Sequence, residues 1–509
     1  MSTVPPAPIL PPSTGDVVLP FDQTGQELKR GAFVNTLAML ASNFRGVFTF
    51  LVARLLGPAA LGTFSVAWAT TDLISKIAIF GLDGGSTTLI ARAQALGDFA
   101  RSRALFRAAV GLVLVQSCLV AAIVIILLQV FGARLPYPPE MLSALAFLFS
   151  ALPGIGLYRV STSISRGLKV MKHDIFSRGL TEPLVTTLAF LGALLVGSRM
   201  LAPVAAAIAG TGASGLVAWV LAARRFRHLP AGSDGASIVT EARALLSFSA
   251  PICAYQLLNA FIFRMDLIML GWFIGRAPGV TLVTVGVYGV VVDVAGGLRK
   301  VNQSFNPIFA PVVAGMTATG EQKDAAATYA RISQWMLWVL LPLVAVMALA
   351  GPILLLIYGP AFQQGASWLI VAAIACATNS FVSLGETAIM VQRPRLNLGN
   401  SAIACAVAFA ANLWLIPRFG VIGAAYGLLL PYLVQGLLRF GTLRFVFQWP
   451  NPWRSLTPPI FGALIAIIPA LPCRILLPGV AGQIGATVIF LTLFGIGWIY
   501  RSSLNKLLR

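Results

Sequence analysis

The 509-residue chain is 58% hydrophobic and only 10% charged, with a mean hydropathy of +0.87. This excludes a soluble globular protein, because apolar runs of roughly 20 residues, each long enough to span hydrocarbon, recur from end to end. The formal charge of +20 does not indicate nucleic acid. The basic residues alternate with apolar runs instead of forming a folded patch, so no nucleic-acid partner is expected.

Residues 1–30 are polar and proline-rich (Pro5, Pro6, Pro8, Pro11, Pro12 and Pro20). They are expected to be a disordered cytoplasmic tail, and they lack the charged start and compact apolar core of a signal peptide. An N-terminal lobe of six helices is predicted over 31–223, with spans near 32–53, 60–89, 104–131, 141–160, 181–198 and 201–222. A basic cytoplasmic connector over 224–245 contains the polar turn HLPAGSDGAS. A C-terminal lobe over 246–445 follows, with spans near 246–274, 281–314, 333–357, 365–391, 397–416 and 420–442. Two further helices, near 457–476 and 481–500, occupy 446–509. The predicted fold is therefore all-α, a polytopic membrane protein of about fourteen helices. Lys and Arg number 25 in the tails and the loops after even-numbered spans, against 6 in the loops after odd-numbered spans. The positive-inside rule then puts both termini in the cytoplasm.

Five basic residues fall on neither side: Arg45, Lys76, Arg264, Arg299 and Lys300. Each would cost roughly 2.5–3.5 kcal/mol at a helix centre facing lipid, so they are expected to line a wet, cationic central cavity. The local alternative is snorkelling or pairing, for example of Arg264 with Asp266. Asp72, Asp83, Asp266, Asp293 and Glu386 lie at similar depth, as charge partners or as sites for a coupling cation. The richest stretch is GVYGVVVDVAGGLRKVNQSFNPIFAP, Gly286 to Pro311, where Pro307 and Pro311 are expected to interrupt the helix. An offset of 224 lays Gly62–Lys76 on Gly286–Lys300 without a gap, and places Gly81, Gly84 and Gly85 opposite Phe305–Phe309. Interrupted segments at matching places in two halves point to a transporter's binding site.

Enzymatic signals are few. Gly210 to Gly215 fits a GxGxxG pattern but lies inside an apolar span with no strand before it, so helix packing explains it. The two histidines, His173 and His228, fall in loops. Cys118, Cys253, Cys376, Cys405 and Cys473 show no paired spacing, so neither a disulfide framework, a metal site nor a cofactor is indicated. A polysaccharide polymerase or ligase would carry a long basic external loop, and none longer than about ten residues is expected.

The segment ARLLGPAALGTF, Ala53 to Phe64, resembles the opening of polysaccharide flippases. LSFSAPICAYQLLNAFIFRMDLIMLG, Leu246 to Gly271, resembles the start of their second lobe, with an Arg-x-Asp before the apolar stretch. VGVYGV, FNPIFAPVVA and GPILLLIYGPAFQQGASWL fit the same family. The resemblance implies the multidrug/oligosaccharidyl-lipid/polysaccharide exporter superfamily, in which two six-helix lobes related by a pseudo-two-fold axis alternate access to a central cavity. It implies a non-enzymatic flippase in the bacterial inner membrane whose cargo is a polyprenyl-pyrophosphate-linked oligosaccharide, usually on undecaprenol. Membrane lipids would be partners, with a polysaccharide polymerase and export machinery beyond them. The product would be exopolysaccharide, capsule or O-antigen. The alternative within the superfamily is a multidrug antiporter. Arginine suits the pyrophosphate, because its fork of donors matches phosphate oxygens. Replacing both Arg264 and Lys300 with alanine is expected to abolish export.

Overall fold

A computed structural model describes residues 21–197, 201–228 and 237–507, the side chains of 21–45, 307, 308, 311, 318, 391, 394 and 500–507 excepted. Among the described residues there are helices and no strands. In chain order they are α1 (Phe21–Ile79), α2 (Leu82–Ala95), α3 (Phe99–Phe131), α4 (Pro139–Phe149), α5 (Leu152–Gly167) and α6 (Lys172–Asp174), the last continuing through a π-helical stretch Ile175–Thr181. Then come α7 (Glu182–Leu195), α8 (Ala202–Arg227), α9 (Ile238–Trp272), α10 (Leu282–Gly296), α11 (Arg299–Ala318) and α12 (Gln322–Leu349). The chain closes with α13 (Gly351–Leu356), α14 (Ala366–Gln392), α15 (Pro394–Phe419), α16 (Val421–Gly441), α17 (Trp453–Leu476) and α18 (Gly479–Leu507). The predicted connector falls partly outside the described residues, as does the tail up to residue 20. Residues 21–30 of that tail form the start of α1.

Eleven helices among the described residues are long and apolar enough to cross a membrane, or twelve if the bent pair α4–α5 is one span. The protein is thus an all-α, multi-pass membrane protein, with eleven or twelve of the fourteen predicted spans found among the described residues. The first predicted span, 32–53, lies mostly among residues whose side chains are not described, and two features bear on it and on the fifth. The helix in α1 resumes directly after Gly57, whose φ of 81° breaks it between the first two predicted spans. Only glycine adopts that backbone without strain. In the fifth predicted span, α7 has only 14 α-helical residues because the turn before it is π-helical.

The two predicted interruptions are also placed differently. The first copy breaks at Phe80–Gly81, both at positive φ, and the second at Gly297–Leu298. Helix α11 continues through Asn306 to Ala318, so the Asn306–Pro307 pair does not end it. The breaks are therefore out of register under the offset of 224.

The repeat itself is borne out by contact. A Cβ added to Gly62 would strike the Leu282 carbonyl oxygen, and one added to Gly286 would strike the Pro58 carbonyl oxygen. Pro58 and Leu282 are themselves 224 residues apart, as are Gly62 and Gly286. One pair further along, a methyl group on Gly289 would stand 2.8 Å from Ser65 Oγ. Residues that touch their own counterparts lie on a two-fold axis, so the pseudo-symmetry axis runs between α1 and α10. Small residues at this spacing let two helix backbones approach closely, as in other membrane helix pairs.

The outer surface is apolar, with Leu119, Ile126, Leu188, Ile465, Ile468 and Ile475 exposed, as lipid-facing helices require. Helices α17 and α18 pack on α12 through a small core of their own, centred on Trp338, Phe490 and Phe494.

Candidate functional site

The second half of α1 carries Phe64, Trp68, Asp72 and Lys76 at intervals of four residues. Four residues advance a helix by about 6 Å and return to the same face, so these side chains form one stripe. All four are half-buried. Asp72 is the hub. Its Oδ1 accepts a hydrogen bond of 2.7 Å from Arg159 Nη2 of α5, and its Oδ2 one of 3.1 Å from Arg264 Nε of α9. The Lys76 ammonium, one turn along, lies within electrostatic reach of the same carboxylate. One negative group thus faces three positive ones, and it joins the half of the chain before the connector to the half after it.

A fourth cation is attached through an aromatic ring. The guanidinium carbons of Arg264 and Arg299 lie 4.7 and 3.7 Å from the centroid of Phe263. Both are well placed for cation–π attraction. Arg299 Nη2 also meets Cys376 Sγ at 3.2 Å, while its Nε and Nη1 are buried without a hydrogen-bond partner. Donors left in this state are expensive to keep, and in membrane proteins buried cations mark ligand paths.

Of the five cations predicted for the cavity, Lys76, Arg264 and Arg299 come together here. Lys300 lies within electrostatic reach of Arg178, on the π-helical stretch before α7. The Arg45 side chain lies outside the described residues. Arg159 is the member that sequence reasoning missed, because it was assigned to a loop at the end of the predicted span 141–160. Its actual position inside α5 removes it from the positive-inside count, as does the burial of Arg439 in α16.

The acidic residues are dispersed. Arg264 pairs with Asp72 and not with Asp266, which is 1% exposed and accepts a 2.7 Å hydrogen bond from the Tyr288 hydroxyl. Glu386 pairs with Arg439 at 2.8 Å. Asp83 accepts from Gln256 Nε2 at 3.0 Å. Asp293 reaches the wall of a cavity between the two halves.

That cavity, of about 140 Å³, adjoins the cationic cluster through Arg264, and its walls include Phe64, Trp68, Glu182 and Asp293. A larger one of about 420 Å³ lies between α11 and α14, lined by Asn302, Asn306, Ser383, Glu386 and Thr387. Among the described residues no group of three or more His, Cys, Asp or Glu is placed to hold a metal ion.

A helical, multi-pass membrane protein with charged groups at the seam between two pseudo-symmetric halves has the architecture of a membrane transporter. The sequence profile described as "Polysaccharide biosynthesis protein" matches residues 28–313, over half the chain, and the chain belongs to that family. Its fold is similar to that of the lipid II flippase MurJ in an inward closed conformation. The TM-score is 0.69 at 11% identity, covering 93% of this chain and 100% of that one. It is also similar to an inward-facing multidrug resistance MATE family transporter of the MOP superfamily. There the TM-score is 0.62 at 14% identity, covering 80% and 94%. A Vibrio cholerae MATE transporter gives 0.57 at 14% identity, covering 82% and 99%. No curated protein matches the sequence.

Proposed function

We propose that the protein is a flippase that moves an undecaprenyl-pyrophosphate-linked oligosaccharide across the bacterial inner membrane, for exopolysaccharide, capsule or O-antigen synthesis. It works by alternating access and carries out no covalent chemistry. The lobes are 31–223 and 246–445, and both termini are cytoplasmic. The cationic site is Lys76, Arg264 and Arg299, joined by Arg159. Arg45 and Lys300 contribute at other stages of the passage, and a polymerase and export machinery receive the product.

The reading is supported chiefly by the gathering of Lys76, Arg159 and Arg264 around the one carboxylate of Asp72, with Arg299 holding unpartnered donors beside them. A multiply negative headgroup satisfies those donors, and guanidinium forks match phosphate oxygens. The isoprenoid tail stays in lipid throughout.

The test is translocation of a fluorescent undecaprenyl-pyrophosphate oligosaccharide in liposomes. Wild-type protein should equilibrate the two leaflets, and the Lys76→Ala/Arg264→Ala variant should not. A variant that flips as fast as wild type would reject the site. The second reading, a multidrug antiporter, draws on the aromatic rings and carboxylates in the smaller cavity. Proton- or sodium-driven export of an aromatic cation by the same liposomes would establish it instead.

A further inference from the structure

Beyond the glycine crossing, away from the cationic cluster, the two halves are fastened by a contact that neither of those features explains. Arg54 stands just before the Gly57 break in α1, and its guanidinium reaches across to the short helix α13. Its Nε donates to the Ile357 carbonyl oxygen at 2.8 Å, and its Nη2 to that of Leu356 at 3.3 Å. The last carbonyls of a helix lack helical partners, so they are open to a donor from outside. Beside them Phe50 meets Tyr358 edge-on at 6.2 Å, and the Arg54 guanidinium carbon lies 5.9 Å from the centroid of the Phe50 ring.

On its other side α13 is tied to its own half. The Ile353 amide donates to Gln483 Oε1 of α18 at 3.2 Å, and Arg474 Nε, near the end of α17, donates to the Leu349 carbonyl oxygen at the end of α12 at 3.1 Å. A second contact between the halves mirrors the first. Tyr137, in the link after α3, meets Trp272 at the end of α9 edge-on at 6.0 Å. Each half thus offers one ring near the end of its first span and one ring beyond its third. The mirror is incomplete in one respect. The offset of 224 lays Arg54 on Pro278, which has no side-chain donor, so only the Phe50–Tyr358 side carries hydrogen bonds from this position.

We propose that Arg54 is the bolt of a gate: its two bonds to Ile357 and Leu356 hold the halves together at this end, and the end opens when they break. Because α13 is tied to α12 and α18, the contact that yields is the one Arg54 makes. Arginine suits the task, since its planar fork reaches two successive carbonyls at once, which a lysine ammonium does not. Arg54 is exposed, so the bonds are weak enough to break thermally and still favour the closed form about tenfold. Such a margin suits a contact that must be made and broken in every cycle. The sequence count puts Arg54 on the side away from the cytoplasm. On the flippase reading, which the inference uses only for this point, the gate is therefore the cargo's exit.

The experiment reads the width of this end directly. Val196, just after α7, and Phe419, at the end of α15, are exposed and belong to different halves. Both are replaced by cysteine in full-length protein without the five native cysteines, spin-labelled, and their separation is measured by double electron–electron resonance in nanodiscs. The parent should show mostly one short distance. Arg54→Gln should raise the ratio of long to short distances about tenfold. Arg54→Lys, which keeps the charge but not the fork, should fall between the two. Tyr358→Leu leaves both carbonyl acceptors in place and should shift the ratio less than Arg54→Gln. Unchanged distances in Arg54→Gln, whatever its melting temperature, would make Arg54 an anchor of α1 and overturn the gate. Should Arg54→Gln fail to fold, Arg54→Lys decides in the same way, a longer distance upholding the gate and an unchanged one overturning it. The distances need no cargo. A protein that shows this pattern but flips no undecaprenyl-pyrophosphate oligosaccharide would reject the flippase reading and uphold the gate.

Discussion

The seam between the two halves is built in two ways. Where Gly62 meets Gly286, side chains have been removed altogether, and each helix packs its backbone on the other's carbonyl group. About 15 Å along α1, the same seam is held by Asp72 between Arg159 and Arg264, with Lys76 and Arg299 close by. The first stretch gains close van der Waals contact from both copies of a repeat and involves no charge. The second places several charges away from bulk water, where desolvation can outweigh their attraction. A seam needing only cohesion would be built throughout like the first, and the charged stretch is where the proposed cargo site lies.

The largest effect should come from the glycine crossing. Gly286→Leu puts a branched side chain where the obstacle is backbone, and overpacking there costs about 1–3 kcal/mol or more. A fall in melting temperature in detergent, with loss of flipping, is the expected result. Gly62→Ala and Gly286→Ala should each be harmful, but their double mutant should cost less than the sum, since both enter one contact. Additive losses would separate the two sites and break the reciprocity.

Asp72→Ala comes next. Removing the shared partner takes the nearest counter-charge from Arg159, Arg264 and Lys76, a loss of about 3 kcal/mol for groups this enclosed. Millimolar inorganic pyrophosphate should restore part of the melting temperature, because an anion replaces the carboxylate. Recovery by chloride at the same ionic strength would reduce the effect to screening.

Arg299→Met should act in the opposite direction on stability. Replacing a buried charge with an apolar side chain of similar volume is neutral or stabilising, so the melt should hold or rise while flipping falls. Unchanged flipping would remove Arg299 from the site. The smallest effect belongs to Arg101→Ala, which breaks the 3.0 Å pair with Glu241 where α3 meets α9. The Arg101 side chain is 40% exposed, so about 0–1 kcal/mol is expected, shrinking further in high salt.

Much of this contrast was legible in the sequence. The offset of 224 identified Gly62 with Gly286, and the cost of charge at membrane depth singled out Lys76, Arg264 and Arg299. What the repeat meant was not legible: two similar segments show symmetry, but only their packing shows that the axis passes between them. The partners of the cations were equally hidden. Asp72 and Arg264 are 192 residues apart, and Asp266, two residues from Arg264, was the nearer choice. Arg159 escaped because a basic residue near a span's end reads as a loop. The break after α10 was misplaced because Pro307 is the usual breaker, whereas Gly297 precedes it and ends the helix first.

The most direct test of the account is a reversible lock on the glycine stretch. Ser65→Cys and Gly289→Cys, in a background without the five native cysteines, place two thiols across the seam at counterpart positions. The account predicts that oxidation forms the disulfide and stops flipping of undecaprenyl-pyrophosphate oligosaccharide in liposomes, and that reduction restores it. Undiminished flipping with the disulfide fully formed would show that the lobes need not part there, and would contradict it.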